Sequence, residues 1–297
     1  MLVVTNEMAG GTGRDTVAEV VAVLETAGPV ELIECSSVSQ LDTVLDHRAG
    51  RTLVVAGGDG SLNTTLGCLW RRGETAQCPI GIVPMGTGND FARGVGIPLD
   101  PALAAKLVVS AVPSPVDLVT DDAGGVVVNA MHVGAGADAA ARAKPLKPYL
   151  RIAAFPIGAF MAGVRAPGWR LRVEVDGRAV VGGRRRVLMA GLANAPSIAG
   201  GTALLAPEAS VTDGLLDVIV STAIGPLARA GYALRLVRGT HGERDDVVLL
   251  TGRTLTISGD PFYTNADGEL AGPFRRRVWT VQPGSWRCIL PAEVAAG

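Results

Sequence analysis

A short apolar segment that runs through a glycine-rich turn directly into a helix constrains this chain most. Residues 53–56 are four consecutive apolar residues typical of a buried strand, and residues 61–69 can continue as a helix. Between them, Gly57, Gly58 and Gly60 let the backbone turn with its N–H groups exposed. The positive N-terminal end of the following helix faces this turn. Such a turn attracts phosphate oxygens, so the sequence predicts a nucleotide-phosphate site.

Asp59 lies in the middle of this turn, where a carboxylate repels phosphate unless a cation lies between them. The turn therefore predicts Mg²⁺ as well as a nucleotide. No G-x-x-x-x-G-K-[ST] motif occurs, and the only lysines are Lys106, Lys144 and Lys147, so this is not a Walker loop. The alternative interpretation is a tight structural turn after a buried strand.

A second strand-to-loop turn follows at residues 80–98, IGIVPMGTGNDFARGVGIP. In an open α/β sheet, ligands bind outside the carboxyl ends of the strands, so successive turns of this kind line one crevice. We therefore expect Thr87, Asn89 and Asp90 to face the same crevice as the glycine turn.

GGDGSLN at residues 57–63 and PMGTGNDFAR at residues 84–93 together resemble the catalytic domain of the soluble diacylglycerol kinase family, which includes bacterial lipid kinases and sphingosine and ceramide kinases. The first motif also resembles that of NAD kinases and phosphofructokinases, whereas the second indicates the lipid-kinase branch. The resemblance covers nearly the whole chain, because residues 3–13, 190–220 and 265–269 (NADGE) resemble further blocks of the family in the same order.

The resemblance implies an ATP site, an Mg²⁺ network and a base. Asp59 and Asp90, with Asp117, would bind the catalytic Mg²⁺ through water molecules. Asp267 and Glu269 would accept the proton of a lipid hydroxyl, and Glu269 would be the base. If the loop at 267–269 is extended, both carboxylates share a face; the alternative is a hairpin turn. The implied ATP-binding residues are Asn6, Gly10, Ser36, Gly57, Gly58, Asp59, Gly60, Ser61, Asn63 and Thr87.

A second, structural Mg²⁺ is implied by residues 207–217, PEASVTDGLLD. Asp213 would be the side-chain ligand, with backbone carbonyls from Ser210 and Leu215; a plain Asp-Gly turn is the alternative. Two residues depart from the family pattern: Glu7 replaces the usual proline in the first nucleotide loop, and Ser61 replaces the usual threonine but keeps the hydroxyl.

The chain has 297 residues, 48% of them hydrophobic, which suffices for two domains with their own cores. Strand and helix patterns alternate over residues 1–117, which predicts a three-layer, Rossmann-like α/β nucleotide domain. Short, partly alternating segments over residues 118–285 predict a β-rich domain of the β-sandwich type, and the resemblance implies that this domain receives the lipid substrate. From the family, residues 286–297 are expected to return to the first domain.

The net charge of −1 offers no field to hold nucleic acid, and four scattered cysteines predict reduced packing residues rather than a disulfide frame or zinc site. A strand begins within two residues of the start and no apolar run reaches about 18 residues, so we expect a cytoplasmic protein at the inner face of the membrane.

Residues 144–165 form either a membrane-facing lip or an ordinary helix packed on the sheet. The arginine triplets 184–186 and 275–277 either attract anionic lipid or are solvated edge charges.

The resemblance thus predicts an ATP-dependent kinase of a membrane-lipid hydroxyl, most simply that of diacylglycerol. A kinase of a soluble substrate like NAD kinase, a kinase of another lipid such as a sphingoid base, and a non-catalytic nucleotide or lipid sensor are the alternatives. The sequence leaves a homodimer open and does not identify the acceptor.

Overall fold

The structure is a computed structural model that describes residues 1–5, 14–138 and 168–295, with the side chain of residue 295 left out. Three predicted features lie outside these residues: the nucleotide-loop residues Asn6 and Gly10, the departure at Glu7, and the proposed lip at residues 144–165. In the described part of the chain, no helix is both long enough and apolar enough to cross a membrane.

The first module has four parallel strands in the order β2–β1–β3–β4, so the predicted α/β fold is confirmed. Because parallel crossovers are right-handed, α1 lies on one face of this sheet, and α2 and α3 lie on the other. Its elements are β1 (Leu2–Thr5), α1 (Arg14–Glu25), β2 (Glu31–Glu34), α2 (Val38–Asp46), β3 (Leu53–Gly57), α3 (Asp59–Arg72), a 3₁₀ turn (Thr75–Gln77), β4 (Pro79–Pro84), α4 (Asp90–Gly94) and α5 (Pro101–Ser110).

The second module is mostly β, as predicted, with a buried apolar core of its own. The sequence reading missed one helix in it, α6 (Pro226–Val237), which packs its buried Tyr232 on an outer face of the sheet. The strands are β5 (Pro113–Asp121), β6 (Val126–Val127), β7 (Ala130–Gly134), β8 (Trp169–Val175), β9 (Arg178–Val181), β10 (Arg186–Val187), β11 (Met189–Ala193), β12 (Ser197–Ile198), β13 (Ala203–Leu204), β14 (Leu216–Ser221), β15 (Val247–Gly252), β16 (Thr254–Ala266) and β17 (Glu269–Ile289), with a 3₁₀ turn (His241–Glu243) and a final helix α7 (Ala292–Ala295).

The long strand β17 connects the two modules. It pairs with β16 and β5 along most of its length, and near its end Arg287 and Cys288 pair in parallel with β4. Just before this point the buried Trp286 donates its indole N–H to the carbonyl oxygen of Asp117, at 3.0 Å. The end of β17 therefore packs into the core of the first module, while the domain limits at residues 117 and 285 stay predictions.

The cysteines are packing residues. All four are free, and three of them, Cys68, Cys78 and Cys288, are buried. Burial raises the pKa of the Cys78 thiol to about 11, so that thiol stays protonated at neutral pH.

Candidate active site

The two glycine turns predicted from the sequence lie against each other. A Cβ atom built on Gly58 would lie 3.1 Å from the Cα of Gly86, and one on Gly86 would lie 2.6 Å from the Cα of Gly58. Asn89 closes the second turn: its backbone is left-handed (φ 53°), and its side-chain amide bonds to both the N–H and the carbonyl of Gly86, at 3.0 and 2.8 Å. The turns after β3 and β4 thus form one wall.

Asp59 begins helix α3 and holds the second turn. The helix was expected to start at Ser61, but it starts two residues earlier, so Asp59 occupies its first turn. Its carboxylate accepts the backbone N–H groups of Asp90 (3.0 Å) and Phe91 (3.1 Å), at the start of α4. Burial raises the pKa of Asp59 above its ordinary value, and these two N–H donors oppose the rise.

Asp90 connects this wall to the second module. Its carboxylate accepts the backbone N–H groups of Gly200 and Gly201, both at 2.9 Å, and the hydroxyl of Ser197 at 3.2 Å. These three donors belong to the β12–β13 hairpin, and the role of the two glycines was missed because a backbone donor leaves no mark in the sequence. Both Asp59 and Asp90 thus organise the site through backbone N–H groups, and their part in an Mg²⁺ network stays a prediction.

A cleft of about 690 Å³ opens at the carboxyl ends of the parallel strands. This volume lies in the range of small-molecule sites. At Gly60 the cleft is unobstructed, because a Cβ atom built there would meet nothing within 4 Å. The cleft brings together six of the predicted residues, namely Ser36, Gly58, Gly60, Ser61, Thr87 and Glu269.

Asp267 and Gly268 form a two-residue hairpin turn between β16 and β17. Both have left-handed backbones, with φ angles of 48° and 88°, and Ala266 pairs directly with Glu269 across the turn. The expectation of an extended loop is therefore wrong: an Asp-Gly pair with two positive φ angles matches the twist of adjoining antiparallel strands. The hairpin alternative is the one that the structure contains.

The carboxylate of Asp267 accepts four hydrogen bonds. Three come from the backbone N–H groups of Val128 (2.6 Å), Asn129 (3.0 Å) and Ala130 (2.9 Å) in the second module. The fourth comes from the side-chain amide of Asn63 on α3, at 2.9 Å. Burial raises the pKa of Asp267, whereas the four donors oppose the rise. We call this arrangement the Asp267 clamp.

The clamp also places Asn63 away from the cleft. The amide nitrogen of Asn63 donates to the carbonyl of Val126 (3.2 Å) as well as to Asp267, and the residue lines a neighbouring cavity of about 350 Å³. Its predicted contact with the nucleotide stays a prediction. What the structure shows is that Asn63 joins α3 to the turn that carries Glu269.

Glu269 is the carboxylate that remains free for chemistry. It is exposed and has no hydrogen-bond partner in the described part of the chain, in contrast to Asp59, Asp90 and Asp267. It lines both the 690 Å³ cleft and the 350 Å³ cavity, so it stands where the two meet. A carboxylate in this position can accept a proton from a hydroxyl that enters the cleft.

Asp117 lies with the predicted structural-metal loop. Its carboxylate accepts the N–H groups of Gly214 (2.6 Å) and Gly284 (2.7 Å), and none of its hydrogen bonds within the described residues goes to Asp59 or Asp90. Its share in the catalytic Mg²⁺ network stays a prediction. Asp213 lines a cavity of about 340 Å³ beside it and accepts the N–H of Leu215 at 2.9 Å.

The charge around Asp213 suits a cation. Burial, together with the negative charges of Asp213 and Glu208, raises the pKa of Asp217 to about 6. Oxygen ligands from Asp213 and the carbonyls of Ser210 and Leu215 suit Mg²⁺. Across the described ranges, no cluster of three or more His, Cys, Asp or Glu side chains is arranged to hold a metal ion. The predicted site needs only one carboxylate, and it stays a prediction.

Comparison with known families identifies both modules. Residues 1–120 match the family model "Diacylglycerol kinase catalytic domain", and residues 129–290 match "YegS C-terminal NAD kinase beta sandwich-like domain". The chain therefore belongs to the diacylglycerol kinase family, and it is a lipid kinase of the YegS-like type.

Individual relatives agree with this assignment. The chain is 33% identical to the "Probable lipid kinase YegS-like" of Pseudomonas aeruginosa strain UCBPP-PA14, over 81% of this chain and 77% of the relative. It is 28% identical to a diacylglycerol kinase of Mycobacterium tuberculosis strain H37Rv, over 82% and 73% of the two chains. The fold matches the crystal structure of a diacylglycerol kinase from Bacillus anthracis str. Sterne with a TM-score of 0.75, at 20% identity, over 99% and 97% of the chains.

The clamp predicts a specific cost for Asp267→Asn. The substitution removes the charge and turns an amide NH₂ group toward N–H donors, so we expect the free energy of unfolding to fall by about 2–3 kcal/mol. Urea unfolding at neutral pH measures the change. Asp260→Asn is the matched control, because the carboxylate of Asp260 accepts one backbone N–H, from the exposed Arg170. Equal, small losses in both variants would contradict the clamp.

The acidic loop predicts a linked dependence on pH and Mg²⁺. Because the pKa of Asp217 is raised to about 6 in the folded protein, the folded state binds the extra proton between that value and the unfolded value. Without metal, the melting temperature should therefore rise as the pH falls from 7 toward 5. Adding Mg²⁺ at pH 7 should raise it in the wild type.

Two isosteric variants separate the contribution of Asp217 to the pH dependence from that of Asp213 to the Mg²⁺ response. Asp217→Asn should raise the melting temperature at pH 7 without metal and remove the part of the pH dependence that is centred near pH 6, because it deletes that titrating charge. Asp213→Asn should abolish the response to Mg²⁺. An Mg²⁺-sensitive melt in Asp213→Asn would show that the ion binds elsewhere.

Proposed function

We propose that this lipid kinase transfers the γ-phosphate of ATP to a hydroxyl of a membrane lipid, most simply converting diacylglycerol to phosphatidic acid. The observation that carries the proposal is the free carboxylate of Glu269 at the edge of a 690 Å³ cleft lined by two glycine turns. The names of the relatives support the same reaction class. Since the acceptor is a lipid, we place the protein at the inner face of the membrane, in transient contact with its surface.

ATP binding is assigned to the glycine wall. Gly58, Gly60 and Thr87 line the cleft, and Gly58 and Gly60 lie at the N-terminal end of α3, where the helix dipole is positive. Glycine at positions 58 and 86 lets the two turns meet, because a Cβ atom on either residue would lie against the backbone of the other. When bound, Mg²⁺ would neutralise phosphate charge, and Asp59 and Asp90, whose carboxylates lie beside Gly88 in the second turn, would hold it through water.

The transfer step needs a base for the incoming hydroxyl. A bond forms between the acceptor oxygen and the γ-phosphorus while the bond from that phosphorus to the β–γ bridging oxygen breaks, leaving ADP. The proton of the hydroxyl goes to Glu269. General-base assistance of this kind contributes about 10²–10⁴ in rate. Asp267 holds the turn that carries Glu269, because its own oxygens are occupied by four donors.

Gly60→Ala tests the ATP site without disturbing the fold. The added methyl group enters open space in the cleft and replaces glycine within a helix, so the free energy of unfolding should stay equal or rise by up to about 1 kcal/mol. ATP affinity, measured by titration calorimetry, should fall at least about tenfold because the methyl occupies the phosphate approach. Gly182→Ala is the control for ATP affinity, because Gly182 is exposed, lies far along the chain, has no left-handed φ, and would place its Cβ in open space. Unchanged ATP affinity in Gly60→Ala would refute the site.

Glu269→Gln tests the base. The substitution keeps the side-chain volume and removes the proton acceptor, so kcat should fall by about 10²-fold or more while ATP affinity and melting temperature stay near wild type. Glu293→Gln, on the final helix α7, is the matched control. If Glu269→Gln retains more than about a tenth of wild-type kcat, the base lies elsewhere.

The acceptor is identified by a direct assay. Labelled ATP is incubated with the protein and a panel of lipids in mixed micelles that includes diacylglycerol, a sphingoid base and a polyprenol. The proposal expects diacylglycerol to be labelled. Labelling of another lipid instead would correct the acceptor, and labelling of a water-soluble alcohol without any lipid would favour a kinase of soluble substrates.

A further inference from the structure

Helix α6, which the sequence reading missed, carries a row of exposed apolar side chains. Leu227, Leu234 and Val237 are 89%, 54% and 46% exposed, and exposed Ala230 lies in the same row at helical spacing. The opposite side of the helix is buried through Tyr232 against the sheet of the second module. The row is therefore the solvent-exposed face of a helix whose other face is packed on the sheet.

The charge of α6 is one-sided. The helix and its C-terminal cap contain Arg229, Arg235 and Arg238 and no acidic residue. Arg235 pairs with Glu243 at 3.3 Å, whereas Arg238 is exposed and has no carboxylate partner within the described residues. An apolar row flanked by exposed arginine is typical of a helix that lies in the interface of an anionic bilayer.

The C-terminal end of α6 lies close to the active site. A Cβ atom built on Gly239, directly after the helix, would lie 3.2 Å from Leu204 and 3.3 Å from Pro207. Leu204 ends the β12–β13 hairpin, whose turn at Gly200 donates to the carboxylate of Asp90. Four residues of extended chain span at most about 14 Å, so the turn at Gly200 lies within that distance of Leu204, which contacts the end of α6.

We propose that the exposed face of α6 is a membrane-docking surface that binds an anionic lipid bilayer. This inference rests on the proposed function, because a kinase of membrane lipids needs its cleft next to the bilayer. Three side chains cannot supply the roughly 800 Å² per partner of a standard protein interface, whereas their insertion into the acyl boundary suffices for a reversible membrane contact. Docking there brings the bilayer to the hairpin that Asp90 holds.

The test uses the Leu227→Gln/Leu234→Gln double variant of the full chain. Sedimentation with vesicles of equal parts phosphatidylcholine and phosphatidylglycerol should show at least about tenfold weaker partitioning than wild type, because two leucine side chains leave the interface. Leu103→Gln is the matched control: Leu103 is 51% exposed on helix α5 of the first module. Its partitioning should equal that of the wild type.

Arg238→Gln tests the charge. It should weaken binding to the vesicles that contain phosphatidylglycerol and leave binding to pure phosphatidylcholine vesicles unchanged. Equal partitioning of the double variant and wild type, or an absence of wild-type binding to the anionic vesicles, would overturn the proposal. A wild-type dimer that becomes monomeric in the double variant, seen by sedimentation velocity, would also overturn it and make this face an interface between copies.

Activity measurements separate this proposal from the lipid-kinase assignment. The double variant should lose phosphorylation of diacylglycerol in vesicles by about tenfold, yet keep wild-type activity on a short-chain diacylglycerol dispersed as monomers. If the wild type phosphorylates neither form, the proposed acceptor is wrong, while the partitioning result still decides whether α6 binds the bilayer.

Discussion

The Asp267 carboxylate is the interaction on which the site depends. It accepts hydrogen bonds from three backbone N–H groups of the second module and from the side-chain amide of Asn63 in the first. A partly buried charge with four donors is stabilised only while all of them stay in place, so the clamp fixes the relative position of the two modules. Glu269 follows two residues later on β17, and its place at the cleft is a consequence of this arrangement.

Asp90 and β17 make two further contacts between the two modules. Asp90 joins α4 to the β12–β13 hairpin, and the end of β17 pairs with β4. The Asp267 clamp, the Asp90 contacts and the β17–β4 pairing thus join the two modules. The first module contains the glycine wall, and the second contains α6 with its exposed apolar side chains. Short, hydrogen-bonded segments therefore link the proposed catalytic cleft to the proposed lipid-docking surface on α6.

The α/β module was readable from the sequence because its strands β3 and β4 are apolar and the turns after them contain glycine. The strand predicted at residues 53–56 ends at Gly57, one residue later, and the two glycine turns meet as expected. Helix α6 was missed because Gly231 lies in its middle and because its leucines at 227 and 234 lie on the exposed side, where they obscure the amphipathic pattern. Six of the predicted residues line one cleft in the structure, but the sequence did not indicate which carboxylates hold the fold and which one is free. Only the structure shows that Asp267 is engaged by backbone donors, which carry no sequence signal, whereas Glu269 is free.

A double-mutant cycle of Asn63→Ala and Asp267→Asn, read on kcat with Glu269 intact, tests the central claim most directly. If Asn63 and Asp267 act together to position Glu269, the double variant should be about as slow as the slower single variant, with a coupling energy of about 1–3 kcal/mol. Losses that add to within about 0.5 kcal/mol would contradict the account, because the two side chains would then influence the reaction independently.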